Sequence, residues 1–301
     1  MKKHSRGNRS VTLVIVFLCV ALVFAVLWGI VTGMEKLMHY GESTTIQKEE
    51  PAAEEAPVEE TQEPVVEEEP LPKNLYSADG FYEVNGIRYY HGGDYEGVPG
   101  VDVSSYQENI DWNAVKDAGI DFAIVRVGYR GYKSGELDLD NCFVEHIEGA
   151  LAAGLEVGVY FFSQALTPEE AAEEAEFVLE KIKDYPVAYP VVYDWEEVDV
   201  SGGARTNEMN MLMLTSCAQA FCEVIEAAGY KPCIYFNQTY GYQQFNLVSL
   251  KDHMFWLAEY DTHPSFEYHF QLWQYTNEGT VPGIDGHVDL NIAFQKKDEK
   301  S

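Results

Sequence analysis

Basic residues are scarce in this chain. Lysine and arginine together number 20 against 50 aspartates and glutamates, a formal net charge of −30. That imbalance argues against nucleic acid as a partner and against docking on anionic lipid through a basic patch. Cysteine is sparse too. Of five, Cys19 lies in an apolar N-terminal run, and Cys142, Cys217, Cys222 and Cys233 show no C-x-x-C spacing. The usual zinc frameworks are therefore missing, and no metal or organic cofactor is expected. The four read as buried free thiols, with a Cys222–Cys233 disulfide as the alternative in an oxidising compartment. No glycine-rich loop follows the first strand-like run, which counts against a nucleotide-binding sheet.

What is present begins with a strongly segmented N-terminus. Residues 1–10 are basic and polar, and Val11 to Met34 then run for 24 residues without a charge. As a helix that run spans ~36 Å, enough to cross a hydrocarbon layer of ~30 Å. Signal-peptide cores are shorter, about 7–15 residues. The reading is a cytoplasmic tail (1–10) and a retained transmembrane signal anchor (11–34) seated in the lipid bilayer. The Lys/Arg bias puts everything after Met34 outside the cell membrane. Secretion after signal cleavage is the alternative. Residues 35–75 are rich in Glu, Pro and Ala and too poor in apolar side chains to fold, so they read as a disordered acidic linker. In 76–97, two aromatic and β-branched runs flank Asn85-Gly86, a β-hairpin signal.

From Val98 the pattern becomes β-α-β. Strands are predicted at Gly100–Ser104, Phe122–Val127, Val157–Phe162, Val191–Tyr193 and Cys233–Phe236, with helices at Asp111–Ala118, Cys142–Ala153, Pro168–Ile182 and Asn207–Ala228 between them. Short connections imply parallel strands and right-handed crossovers. Three further strands, Phe255–Ala258, Phe270–Tyr275 and Val288–Leu290, follow too closely for full crossover helices. Eight strands in 98–296 predict an α/β fold, a trimmed TIM-like barrel, with 297–301 as a tail. An open doubly wound sheet is the competing architecture.

The stretch Pro190-Val-Val-Tyr-Asp-Trp-Glu-Glu197 opens as a strand and closes in carboxylates. Alternation puts Asp194 and Glu196 on one face and Trp195 on the other. At ~6 Å and an effective dielectric near 20, two such charges penalise each other by roughly 2.8 kcal/mol. One then stays protonated near neutral pH beside an ionised neighbour, which is the pairing glycoside hydrolysis requires. Barrel active sites lie at the C-terminal strand ends. Asp102, Asp289 and Gln274 fall at such positions, accompanied by Tyr129, Tyr160, Tyr193, Tyr235, Trp256 and Tyr260, flat rings suited to the apolar faces of a sugar.

Together Gly100-Val-Asp-Val-Ser-Ser-Tyr-Gln107, Ile110-Asp-Trp-Asn-Ala-Val-Lys-Asp-Ala-Gly119, Phe122-Ala-Ile-Val-Arg-Val-Gly128, Val192-Tyr-Asp-Trp-Glu196, Trp273-Gln-Tyr275 and Gly286-His-Val-Asp-Leu-Asn291 resemble glycoside hydrolase family 25, the N-acetylmuramidases. The resemblance spans about residues 98–295. It implies a flattened barrel of five β/α units and three further strands. It also implies cleavage of the β-1,4 bond between N-acetylmuramic acid and N-acetylglucosamine in peptidoglycan glycan strands. Glu196 would then be the general acid. Asp194 would be the anion, whether as nucleophile, as base for a water or as orienter of the substrate acetamido group. Asp102 and Asp289 would hold their charge state and position the sugar. The competing functions are a non-hydrolytic wall-binding protein and a barrel glycosidase acting on chitin.

Overall fold

The computed structural model describes residues 70–297. The expected anchor and most of the expected linker lie outside them. Among the described residues no helix is long and apolar enough to cross a membrane.

Among the described residues, eleven strands form one sheet. β1 (Phe81–Val84) and β2 (Ile87–Gly92) pair antiparallel around Asn85-Gly86, both with positive φ. β2 then pairs with β3 (Tyr95–Val103), which starts well before the predicted Gly100 and carries the hairpin directly into the barrel. The strand continues through Gly97 and Pro99, residues that break a strand pattern on paper. Here Gly97 is needed, because a Cβ would lie 2.7 Å from both Ile292 and Tyr90.

The barrel is β3, β4 (Phe122–Arg130), β6 (Glu156–Ser163), β7 (Val187–Trp195), β8 (Pro232–Asn237), β9 (Met254–Ala258), β10 (Leu272–Gly279) and β11 (Val288–Lys296). Neighbours from β3 to β10 are parallel, and β11 closes the ring antiparallel to both β10 and β3. The short β5 (Leu137–Leu139) hangs on the outer end of β4. Helices α1 (Trp112–Asp117), α2 (Phe143–Ala152), α3 (Pro168–Ile182) and α4 (Met211–Ala227) fill the first crossovers, and a short α5 (Gln238–Gln243) follows β8. β9 returns to β10 through residues 259–271 without a helix, the close spacing that the sequence pattern showed.

Side chains at the helix starts account for their registers. Asp111 accepts from the Ala114 N–H, Thr167 from Glu170, and Asn210 from Met213. The Asn210 cap explains why α4 opens later than the predicted Asn207. The linker reading also needs correction at its end. Leu71 is buried, and Asn74 and Pro72 bond the backbone of residues 266–269. A single leucine and a run of backbone hydrogen bonds are enough to pin a stretch whose composition is otherwise that of a tether.

Two apolar layers result from strand alternation. Outward residues such as Val125, Phe161, Tyr193 and Trp195 pack under the helices, while Phe122, Ile124, Val192, Cys233, Leu272 and Ala293 plug the barrel interior. Along the inward face each strand climbs from apolar to polar. β4 runs Phe122, Ile124, Arg126, β10 runs Leu272, Gln274, and β11, in reverse, runs Ala293, Asn291, Asp289. The plug closes one end and leaves a polar mouth at the other.

Candidate active site

That mouth is a cleft of about 670 Å³. Its walls include Asp102, Asp194, Glu196 and Asp289, together with Tyr129, Tyr160, Tyr235, Trp256, Tyr260 and Gln274. Strand register brings them together. Asp289 sits opposite Asp102 across β11 and β3, Phe162 beside Asp194, and Asp194 beside Tyr235.

Tyr193 is the exception. It is fully buried on the opposite face of β7, its ring centroid 5.4 Å from that of Phe221 on α4. The expectation that it lines the cleft is wrong for a simple reason: it shares the parity of Trp195, not of Asp194. Tyr129 reaches the cleft by the opposite route. A bulge between Arg126 and Gly128 resets the alternation of β4, so that Tyr129 pairs beside Phe162.

Asp102 is the hub of a directed hydrogen-bond network. Its Oδ2 accepts from Asn291 Nδ2 at 2.7 Å and from Gln274 Nε2 at 3.0 Å. The amide orientations are fixed in turn from behind. Trp256 Nε1 donates to Asn291 Oδ1 at 2.9 Å, and the hydroxyls of Tyr235 and Tyr260 donate to Gln274 Oε1 at 3.1 and 2.9 Å. The three outer donors hold the two amide oxygens, which turns both amide N–H groups toward the carboxylate. Burial raises Asp102 to about 6, with the bonds from Asn291, Gln274 and Asp289 pulling the other way.

The other three acids are raised further. Burial, then the charge on Asp102, lifts Asp289 to about 8, and the same two causes in the same order lift Glu196 to about 7. Asp194 is pushed well above the usual carboxylate range by burial, then by Glu196 and Asp102, with the Arg126 guanidinium opposing. Four carboxyl groups in one buried mouth cannot all ionise at neutral pH. The Asp194–Glu196 pair therefore passes through a state with one proton and one negative charge, and its titration belongs to the pair. Asp194 Oδ1 is buried without a hydrogen-bond partner among the described residues. Such an acceptor is costly until a donor arrives.

Sequence reasoning missed three residues here. Arg126 lines the cleft; Asn291 orients Asp102; and Gln164, fully buried, donates from Nε2 to the Glu196 carbonyl at 3.1 Å while Thr206 Oγ1 donates to its Oε1 at 2.8 Å. For the first two the signal was available: a charge or amide on the inward parity of a strand, past its apolar half. Gln164 follows the end of β6 and carries no such signature.

The chain is similar to known proteins. The family model described as glycosyl hydrolases family 25 matches residues 101–284. The autolytic lysozyme of Clostridium acetobutylicum is 26% identical over 195 residues, which cover 64% of this chain and 55% of that protein. Among solved structures, the modular autolysin LytC from Streptococcus pneumoniae in complex with a synthetic peptidoglycan ligand is 24% identical with a TM-score of 0.62, over 72% of this chain and 52% of that one. A family 25 glycosyl hydrolase from Bacillus anthracis is 25% identical with a TM-score of 0.56, over 72% of this chain and 97% of that one. The chain thus spans about half the length of the first two. With an eight-stranded barrel, four acids in its mouth and a family match over most of the described residues, the chain belongs to glycosyl hydrolases family 25.

Proposed function

We propose that the chain is a lysozyme that hydrolyses the β-1,4 bond between N-acetylmuramic acid and N-acetylglucosamine in peptidoglycan. The observation that carries this reading is the placement of Asp194 and Glu196 side by side with Asp102 and Asp289 in the mouth of the barrel, where burial raises both carboxyls. Glu196 protonates the leaving glycosidic oxygen. Asp194 supplies the anion that steadies the positive charge developing on the sugar. Asp102, held by Asn291 and Gln274, and Asp289 fix the charge state of the pair. The names of the similar proteins, an autolytic lysozyme and an autolysin solved with a peptidoglycan ligand, support the substrate class.

The uncharged run from Val11 to Met34 supports a membrane tether, with the acidic segment after it giving the hydrolase reach into the wall. Purified peptidoglycan incubated with the chain should release reducing ends, and Glu196→Gln should abolish the release. Equal release by the two proteins would overturn the assignment of Glu196, and none by either would overturn the activity.

A further inference from the structure

We propose that Arg126 is the residue through which the cleft recognises the carboxylate of a muramyl residue and so prefers an anionic glycan to a neutral one. The inference rests on the peptidoglycan reading above and extends it to a specificity-determining side chain.

Arg126 is the inward residue of β4 that follows Phe122 and Ile124, where the barrel interior turns polar. Its guanidinium is clamped on one edge. Nε donates to Asp140 Oδ2 at 2.7 Å, Nη2 lies 2.7 Å from the same oxygen, and Nη2 also donates to Ser105 Oγ at 3.1 Å. Asp140 is itself immobilised. It is 2% exposed and accepts the backbone N–H of Ser105 at 3.1 Å and of Cys142 at 2.9 Å. The rings of Tyr106 and Tyr129 stand 5.4 and 5.8 Å from the guanidinium carbon. Clamp and rings hold the group in one place, as a recognition element requires.

Nη1 is left over. Among the described residues no acceptor bonds it, and it is not sealed from solvent. The contrast with Arg130, the other arginine in the cleft wall, is informative. Arg130 spends its donors on Glu173, Glu174 and the carbonyls of Gly135 and Glu170. No lysine lines the cleft. An anionic substituent entering this mouth meets four acids, and Arg126 alone among the lining side chains offers it unused charged donors.

A muramyl sugar carries such a substituent. Its lactyl ether ends in a carboxylate, or in an amide where a peptide stem is attached. A neutral N-acetylated glycan has nothing at that position. Guanidinium–carboxylate hydrogen bonds are charge-assisted and stronger than those to a neutral carbonyl. A gain of roughly 10–100-fold in affinity for the carboxylate form follows.

The test uses stem-free glycan strands with free lactyl carboxylates, and the same strands after conversion of those carboxylates to methylamides. Turnover by the full chain is measured on both, and binding of both is measured by calorimetry with the Glu196→Gln chain. Arg126→Gln and Arg126→Lys are introduced into each background. The expected result is a KM roughly 10–100-fold lower on the carboxylate strands, abolished by Arg126→Gln and partly kept by Arg126→Lys. Indifference of the unaltered chain to amidation overturns the proposal without needing any variant. So does an Arg126→Gln chain that weakens on both glycans and keeps its preference. Carboxylate-selective binding through Arg126 without turnover would uphold the proposal and sink the hydrolase reading. Turnover without selectivity would do the reverse.

Discussion

Glu196→Gln should stabilise the fold at alkaline pH and leave it almost unchanged in acid. In the folded chain the Glu196 carboxyl is raised from 4.5 to about 7, by burial first and by the Asp102 charge second. A carboxyl so raised holds its proton more tightly when folded than when unfolded. The stability it contributes is complete below its unfolded value and is lost as pH rises through about 7. At about 1.36 kcal/mol per pH unit, the full loss is on the order of 3 kcal/mol. The amide mimics the protonated acid and never charges. The stability difference between the two proteins should therefore start near zero at about pH 4.5 and level off above about pH 8. Asp194, held up in part by the Glu196 charge, relaxes in the variant and adds to the effect with the same sign. For a domain of this size the plateau corresponds to roughly 6–12 °C in Tm. Urea denaturation of the full chain across that pH range, with and without the substitution, measures it. A stability difference that does not change with pH would refute the reasoning.

Other expectations follow from the same geometry. Asn291→Ala removes the 2.7 Å bond that pulls Asp102 down, so the Asp102 carboxyl should rise and the acidic limb of the pH–rate profile should move to higher pH, with kcat/KM falling roughly 10–100-fold. Arg130→Met leaves Glu174 fully buried beside a missing partner, and should cost about 3–5 kcal/mol in denaturant unfolding. If peptidoglycan is the substrate as proposed, a chain of net charge −30 should speed up on that anionic wall as salt rises from low to moderate ionic strength, as screening relieves repulsion. A flat salt profile in a turnover assay would count against that last expectation.

Much of this architecture was legible before any coordinates. The β-α-β rhythm and the closing up of strands after Phe236 gave the barrel and its helix-poor last third, because parallel strands need room for a helix and these had none. The acids were legible as a set, since Asp102, Asp194, Glu196 and Asp289 each interrupt an apolar run at a strand end. Parity, applied to Trp195 but not carried through to Tyr193, would have removed that tyrosine from the cleft. Tyr129 could not be placed by parity at all, because a bulge is a backbone event with no clear residue signature. The Asp102 network was also hidden. Gln274 and Asn291 face each other on consecutive strands, but they lie 172 and 189 residues from Asp102, and only barrel closure brings their amides to its carboxylate.

The central claim is that a proton held in the Asp194–Glu196 pair is delivered to a glycosidic oxygen between two particular sugars. Mass spectrometry of the fragments released from purified peptidoglycan reads it directly. The account predicts products that end in reducing N-acetylmuramic acid, made by the unaltered chain and absent with Glu196→Gln. Products ending in reducing N-acetylglucosamine, or strands left intact by the unaltered chain, would contradict it.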